Sequence, residues 1–323
     1  MHEVSRRPRG AHVLALAVTL AAALTVVFVA PAGAGTSHNA AAGAYCGGSM
    51  PAEFGSLALL AGSSAARGAG NELREPSLSQ TVEELPASAK GKGGKAFRAT
   101  VPVYFHVVHA GGVGNIAQTV IDEQMNVLNA AFAGFYGGAY TGFKFRLSGV
   151  SRTDNAAWHF AGPGTSEERA MKQTLHQGGW NALNLYATTA GAYLGWAYFP
   201  GLPQSRQYLD GIVVDWESMP GTSSRYAGRF DLGHTATHEV GHWVHLHHVF
   251  NGGCNNWGDY VDDTPPQLIA TSRCPIGQDS CREPGLDSIH NYMDYSDDPC
   301  YNQFTAGQVT RMQDAWLYYR AAG

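Results

Sequence analysis

Apolar residues fall along this chain in three regimes. Residues 13–30, "VLALAVTLAAALTVVFVA", form one uncharged run, and from 35 to about 95 apolar side chains thin out among Ala, Gly, Ser and Lys, ending in "SAKGKGGKAF". Past residue 97 the two periods of folded structure appear. "TVPVYFHVVHA" (100–110) has the length and the β-branched, aromatic content of a strand, and in "FKFRLSGV" Phe143, Phe145 and Leu147 alternate with polar residues, predicting a strand with one buried face. Between them Ile121, Met125, Leu128 and Phe132 recur at helical spacing, the mark of a helix with one face on the core. "SEERAMKQTLHQ" (166–177) predicts a short helix, "ALNLYAT" (182–188) a strand, "YLGWAYF" (193–199) an exposed strand and "GIVVDW" (211–216) a buried one. Strands interleaved with helices predict a mixed α/β layer.

The pattern then breaks. From 254 to 304 Gly, Asn, Asp, Pro and Cys replace any regular period, so this segment has no apolar repeat to hold it together and predicts an irregular subdomain braced by disulfides. In "TAGQVTRMQDAWLYYR" (305–320) Thr305 and Gln308 stand as a capping-box pair, with Val309, Met312 and Trp316 as an inward stripe. A docked helix is expected there.

Composition changes the picture mainly at the N-terminus. Arg6, Arg7 and Arg9 before the apolar run and "PAGAG" after it have the layout of a secretory signal peptide, with cleavage expected after Ala34. A run of this length would just span a bilayer, but the small-residue exit favours removal over a stable membrane anchor. The net charge of -5 offers no basic footprint, so nucleic acid is not an expected partner. Cys254, Cys274, Cys281 and Cys300 lie close together in sequence, fit an oxidising compartment and leave several connectivities open. No Cys-x-x-Cys pair points to a zinc ribbon. Cys46 stands alone upstream.

The densest chemistry is "HEVGHWVHLHH" (238–248), in which His238, Glu239 and His242 spell His-Glu-x-x-His. On a helix, residues four apart share a face, so both imidazoles reach one zinc ion while the glutamate addresses a water bound there. Zinc brings that water's pKa towards neutrality, and the carboxylate takes its proton during attack on a carbonyl. The pattern points to peptide hydrolysis. A third ligand must come from His245, His247 or His248. In a continuing helix His245 would share the face, yet it would lie about 10.5 Å from His238 along the axis. Donors around a tetrahedral zinc stand only about 3.4 Å from one another. The chain is therefore expected to turn after His242 and bring back His248, leaving His247 with no assigned task. A longer helix with a damaged site is the alternative.

"HEVGHWVHLHH" resembles the extended metzincin signature His-Glu-x-x-His-x-x-Gly-x-x-His. Together with "TATHEVGHW", "GGC", "GDYVDDTP" and "NYMDYSDDPC", it resembles the pappalysin family of secreted zinc metalloproteases over roughly residues 98 to 320. The resemblance implies an α+β, metzincin-like zincin fold: a twisted mixed sheet, a backing helix and an active-site helix above a disulfide-braced irregular C-terminal subdomain. It implies zinc on His238, His242 and His248, Glu239 as general base, Met293 as the hydrophobic floor of a Met-turn, and Tyr295 as a zinc ligand or, preferably, oxyanion support. It also implies disulfides joining Cys254 to Cys281 and Cys274 to Cys300. Asp259, Thr264 and the carbonyl of Asp262 resemble a calcium loop, although the same residues are ordinary turn formers. The departure is His245, where the signature has glycine. A left-handed turn costs a non-glycine residue about 1 to 2 kcal/mol, and histidine is among the side chains that accept it.

These expectations divide the chain into a signal peptide (1–34), a pro-segment or linker (35–97) and a catalytic domain with an upper (98–248) and a lower (249–323) subdomain. The expected protein is a secreted, monomeric zinc endopeptidase made as a zymogen, acting on protein or peptide substrates paired along "YLGWAYF" as an added strand. Cys46 is either an unpaired or intermolecular thiol or a latency switch in the fourth zinc position. Asp294, Asp297 and Asp298 are either solvated, or bind a cation, or give the substrate pocket a preference for basic side chains. Two other readings stay open. One is a catalytically silent binding protein of the same fold, favoured only by His245, and the other a zinc hydrolase of a non-peptide substrate.

Overall fold

Parallel strands buried on both faces form the centre of the protein, seen in a computed structural model that describes residues 84–322 apart from 224, 256 and 257. The expected signal peptide, most of the expected pro-segment and Cys46 lie outside the described residues. Strands β1 (Ala99–His109), β2 (Phe143–Asp154), β3 (Leu183–Thr188), β4 (Gly195–Ala197) and β5 (Ile212–Asp215) form one mixed sheet in the order β2-β1-β3-β5-β4. All neighbours run parallel except β4, which is antiparallel to β5 at one edge. Alternate residues of β1, β3, β4 and β5 serve two cores, as a period of two allows, while β2 buries only the face of Phe143 and Phe145. Val101, Val103, Phe105 and Val107 face the backing helix α1 (Gln118–Phe132) and its stripe of Ile121, Met125, Leu128 and Phe132. Val108, Tyr186, Trp196 and Val213 face the other way, towards Met171 on α3 (Ser166–Leu175). A short helix, α2 (Ala156–His159), precedes α3.

The strand in 193–199 is shorter and less exposed than expected. Only three residues pair, and Trp196 and Tyr198 are 1% and 8% exposed. Helix α4 (His234–Trp243) packs along one face of β4, and Tyr198 and Trp196 enter the core shared with α3 on the other. β4 is thus an edge strand by its place in the sheet, while its side chains are interior.

Below the sheet, the segment after α4 is irregular as expected, and disulfides join Cys254 to Cys281 and Cys274 to Cys300, the pairing the resemblance implied. The chain closes with α5 (Ala306–Tyr319), opened by the reciprocal capping box of Thr305 and Gln308. Val309, Met312 and Trp316 join the same apolar core as β1 and α1, and Phe304 packs against Phe132 with ring centroids 5.0 Å apart. Upper and lower parts share one core.

The end of the expected linker is not free. Leu85 and Ala89 are buried against Ala315 and Tyr319 of α5. The backbone N–H groups of Gly91, Lys92 and Gly93 donate to the Asp314 carboxylate at 2.7, 2.8 and 2.6 Å, and that of Gly94 donates to Gln313. Side-chain composition conceals this because main-chain amides make the contact. Glycine is what allows it: a Cβ on Gly93 would lie 2.6 Å from the Cβ of Gln313. Residues 84–97 therefore form a strap on α5. Hydrogen bonds to a charged acceptor contribute about 1.5 to 3 kcal/mol each and share one carboxylate here. Replacement Asp314→Ala is expected to lower stability to urea by about 2 to 4 kcal/mol and to make the strap protease-sensitive. Unchanged stability would return residues 84–97 to the role of a passive linker.

Candidate metal centre

Helix α4 carries no side-chain N-cap. It starts at Gly233, whose φ of 85° is left-handed and whose carbonyl accepts a bond from Gln124 of the backing helix. Every residue of α4 is buried, so tertiary packing and not local propensity holds it. Its C-terminus is a Schellman turn. The N–H of Leu246 reaches the carbonyl of Gly241 at 2.9 Å, the N–H of His245 reaches that of His242 at 2.8 Å, and His245 takes the left-handed position with φ 80°. The helix therefore ends where the sequence required, and His248 returns to the face of His238 and His242.

The three Nε2 atoms form a near-equilateral triangle with sides of 3.2, 3.1 and 3.0 Å. Each of two rings is fixed by its other nitrogen: Nδ1–H of His238 donates to the carbonyl of Tyr292 at 2.5 Å, and that of His242 to the carbonyl of Leu246 at 2.7 Å. With Nδ1 protonated, the Nε2 lone pairs of these rings point at a common centre. Three imidazole nitrogens at this spacing match the ligand separations of a tetrahedral ion with donors at about 2 Å. The residues fit a metal.

Glu239 lies beside this centre, 1% exposed, on the wall of a cleft also lined by His238, Tyr295, Leu194 and Asp298. The backbone of β4 approaches it so closely that a Cβ on Gly195 would stand 2.8 Å from Glu239 Oε1 and 2.7 Å from the carbonyl of Val213. Met293 is fully buried, and its Sδ would be 2.3 Å from a Cβ on Gly241, so the fourth residue of "HEVGH" must be glycine for the methionine to pack under the helix. Asn291 and Gln308 hold the methionine turn to α5 through two reciprocal amide bonds of 2.8 and 3.0 Å. Half-buried Tyr295 stands edge-on to the His248 ring at 4.9 Å and tilted to His238 at 5.8 Å.

Comparison with known proteins agrees with this geometry. The family model described as Pregnancy-associated plasma protein-A, Peptidase_M43, matches residues 191–316. An extracellular metalloprotease of Pyricularia oryzae is 44% identical over 258 residues, spanning 77% of this chain and 87% of that protein. Extracellular metalloprotease 1 of Coccidioides posadasii is 42% identical, with 83% and 95% covered. The chain belongs to the pappalysin family of metalloproteases. Among solved structures, mature mirolysin of Tannerella forsythia in complex with a cleaved peptide is 29% identical to this pappalysin, with a TM-score of 0.57, 67% of this chain and 90% of that one covered. A Tannerella forsythia promirolysin mutant matches with a TM-score of 0.60, 28% identity, and 68% and 81% covered. The fold is α+β and metzincin-like. No helix among the described residues is long and apolar enough to cross a membrane.

The other expected site residues are used unequally. Asp259 is buried and accepts Thr264 Oγ1 at 2.9 and 2.8 Å, but the carbonyl beside that hydroxyl, at 2.8 Å, belongs to Val261. Asp262 is exposed, at the start of a turn over 262–263. Of the three acids, Asp294 is buried and bonded to Gln267 and Thr271, Asp297 pairs with Arg229 at 2.7 Å, and Asp298 alone lines the cleft.

Two arginines escape a motif search. Arg311 of α5 donates Nε–H to the carbonyl of His245 and a second N–H to its Nδ1, both at 2.9 Å, and Tyr319 stacks on the same imidazole. Burial, and then the Arg311 cation, push the His245 pKa down to about 3, so it is a neutral acceptor. Arg320 donates to the carbonyl of Trp243, the last residue of α4, and binds Asp210 with two N–H groups. The turn that supplies His248 is thus held from α5. Exchange of His245 for glycine removes about 1 to 2 kcal/mol of turn strain but takes an acceptor from a buried guanidinium, which costs a comparable amount. We expect His245→Gly to stay within ~1 kcal/mol of wild type with full metal content. Arg311→Met keeps the strain, loses both bonds and should raise the metal dissociation constant about tenfold, read by competition with a chelator. Equal metal affinity in both variants would show that Arg311 does not hold the turn.

Proposed function

We propose that this pappalysin is a zinc-dependent endopeptidase, exported as a precursor, with Glu239 as general base. The convergence of three imidazole nitrogens beside a buried carboxylate on a cleft wall carries this reading. Zinc suits an all-imidazole set and, when bound, supplies Lewis acidity that acidifies a water and polarises the carbonyl to be attacked. The chain's own side chains do the remaining work. Glu239 takes the proton of the attacking water and returns it to the departing amine. Tyr295 turns its phenol to the oxygen that gains charge. Substrate lies extended along the edge strand β4, adding a strand to the sheet, where Gly195 puts no side chain between backbone and Glu239. The cleaved peptide bound to mature mirolysin and the extracellular relatives support peptide substrates and secretion. The apolar run at 13–30 and the existence of a promirolysin support a precursor, in which the Cys46 thiolate takes the place of the attacking water. Calcium is the proposed second ion, with Asp259, Thr264 and the Val261 carbonyl as oxygen donors. Burial raises the Asp259 pKa to about 7, which makes an ionised carboxylate there costly without a cation beside it.

The cleft next to Glu239 is proposed to receive a basic side chain from the substrate, with Asp298 as its acidic group. Asp298 is nearly fully buried and accepts the N–H of Leu232 at 2.8 Å. Burial raises its pKa to about 7, so it is neutral below that pH and a carboxylate above.

Two measurements test these assignments. Elemental analysis of the purified protein is expected to find one zinc and one calcium per chain. Casein hydrolysis should vanish with a chelator and fall by more than about a thousandfold in Glu239→Ala, with zinc content retained. Equal activity in wild type and variant would sink the mechanism, and a wild type that binds zinc but cuts nothing would leave the binding-protein reading. In a peptide-library digest, the preference for Lys or Arg over Leu in the cleft should rise as pH passes upward through about 7, the sign required by a raised carboxyl pKa. Asp298→Asn should flatten that rise; a preference independent of pH in both proteins removes Asp298 from recognition.

A further inference from the structure

The buried ion pair Glu168–Lys172 lies on α3, behind the sheet from the metal centre. Both side chains are fully buried, and Lys172 Nζ stands 3.1 Å from Glu168 Oε1. The glutamate accepts Trp196 Nε1–H at 2.8 Å, Tyr198 O–H at 3.0 Å and the Gly164 N–H at 2.6 Å. The lysine donates to the carbonyl of Leu209 at 3.1 Å and sits 4.4 Å above the Tyr198 ring. Burial works to raise the Glu168 pKa, but the lysine cation and these donors outweigh it and hold the carboxyl below its usual range. The carboxylate stays ionised and keeps its donors in place.

Such a pair is a poor device for stability. Two charges taken out of water cost more than an apolar pair of the same volume, and replacing both by hydrocarbon is often neutral. What the pair supplies is direction, and its contacts fall on β4. That strand has three residues and one neighbour, with Gly195 opposite Val214, Trp196 opposite Val213 and Ala197 opposite Ile212. A strand this short makes few ladder bonds, so its register depends on the fit of the side chains on its two buried faces. A slip by one residue would turn the indole of Trp196 towards Glu239, into space where even a Cβ at Gly195 would stand 2.8 Å from Oε1. Holding Trp196 and Tyr198 from behind forbids that slip.

We propose that Glu168 and Lys172 are positioning residues for catalysis: they lock the register of β4 against Glu239 and so set where an extended substrate lies. This rests on β4 being the substrate strand, as argued above. The lock acts on long substrates, which pair along β4, and much less on short ones, which occupy only the cleft. The double variant Glu168→Leu/Lys172→Met removes the charges without leaving either unpaired. It is expected to keep zinc content and most of the thermal stability, yet to lose at least about tenfold in kcat/KM on peptides of eight or more residues, mainly through KM. On a short chromogenic peptide it should change by less than about threefold. The pair Trp196→Phe/Tyr198→Phe removes the same two bonds from the β4 side, leaves the ions paired, and should narrow the long-to-short ratio in the same way. If the first variant fails to fold, the second decides. A folded, zinc-loaded variant of either kind with the wild-type ratio overturns the lock, whereas a wild type without peptidase activity overturns the function on which it rests.

Discussion

Three imidazole nitrogens held about 3 Å apart with their lone pairs inward repel one another, and in the absence of a cation nothing about that arrangement is favourable. It persists only if the rings are clamped from outside. The clamps are the carbonyls of Tyr292 and Leu246, each taking the Nδ1–H of one ring. Each carbonyl is in turn held in place. Tyr292 sits in the methionine turn, pinned to α5 by the Asn291 and Gln308 amides. Leu246 is the residue after the left-handed His245, whose conformation Arg311 secures. The geometry of the centre is therefore set by main-chain oxygens, and the packing of α4, the methionine turn and α5 exists to aim them.

Much of this was legible in the residues taken alone, for a definite reason. Strand and helix periods are local, so α1, β1, β2, β3, β5 and α5 could be read from spacing. The convergence of His238, His242 and His248 was legible because metal-binding chemistry depends on separations of four and six positions, together with the impossibility of three rungs on one straight helix. What stayed hidden depends on contacts far apart in sequence. Arg311 meets His245 across 66 positions and the Gly91 amide meets Asp314 across 223. Neither partner has a local signal: the arginine resembles any solvated cation on a helix, and the glycine-lysine stretch resembles any flexible linker. Gly195 was invisible for the opposite reason, since a missing side chain carries no chemistry of its own.

The strand at 193–199 was expected to be exposed, yet Trp196 and Ala197, which face opposite sides of the sheet, are both buried. Glu168 and Lys172 supply polar partners inside the protein for Trp196 and Tyr198, so amphipathic residues point to an interior ion pair and not to water. The protein places several charges this way. Arg320, Arg311, Lys172 and Glu168 are all nearly or fully buried, and each meets a backbone or side-chain group whose position matters to the cleft. Such pairs contribute little net stability. They contribute orientation.

The hold of α5 on the α4 turn also bears on when the centre can exist. His238, Glu239, His242 and His248 are synthesised well before Arg311 and Arg320, and a chain emerging from the ribosome grows by some 5 to 20 residues each second. Through that interval the three histidines are present while the turn that brings the third imidazole home lacks its hydrogen bonds from α5 and Arg320. A peptide-cutting centre inside the cell would threaten its maker's own proteins. Because these fasteners follow the histidines in the chain, the geometry of the centre cannot be completed until α5 and Arg320 have been made.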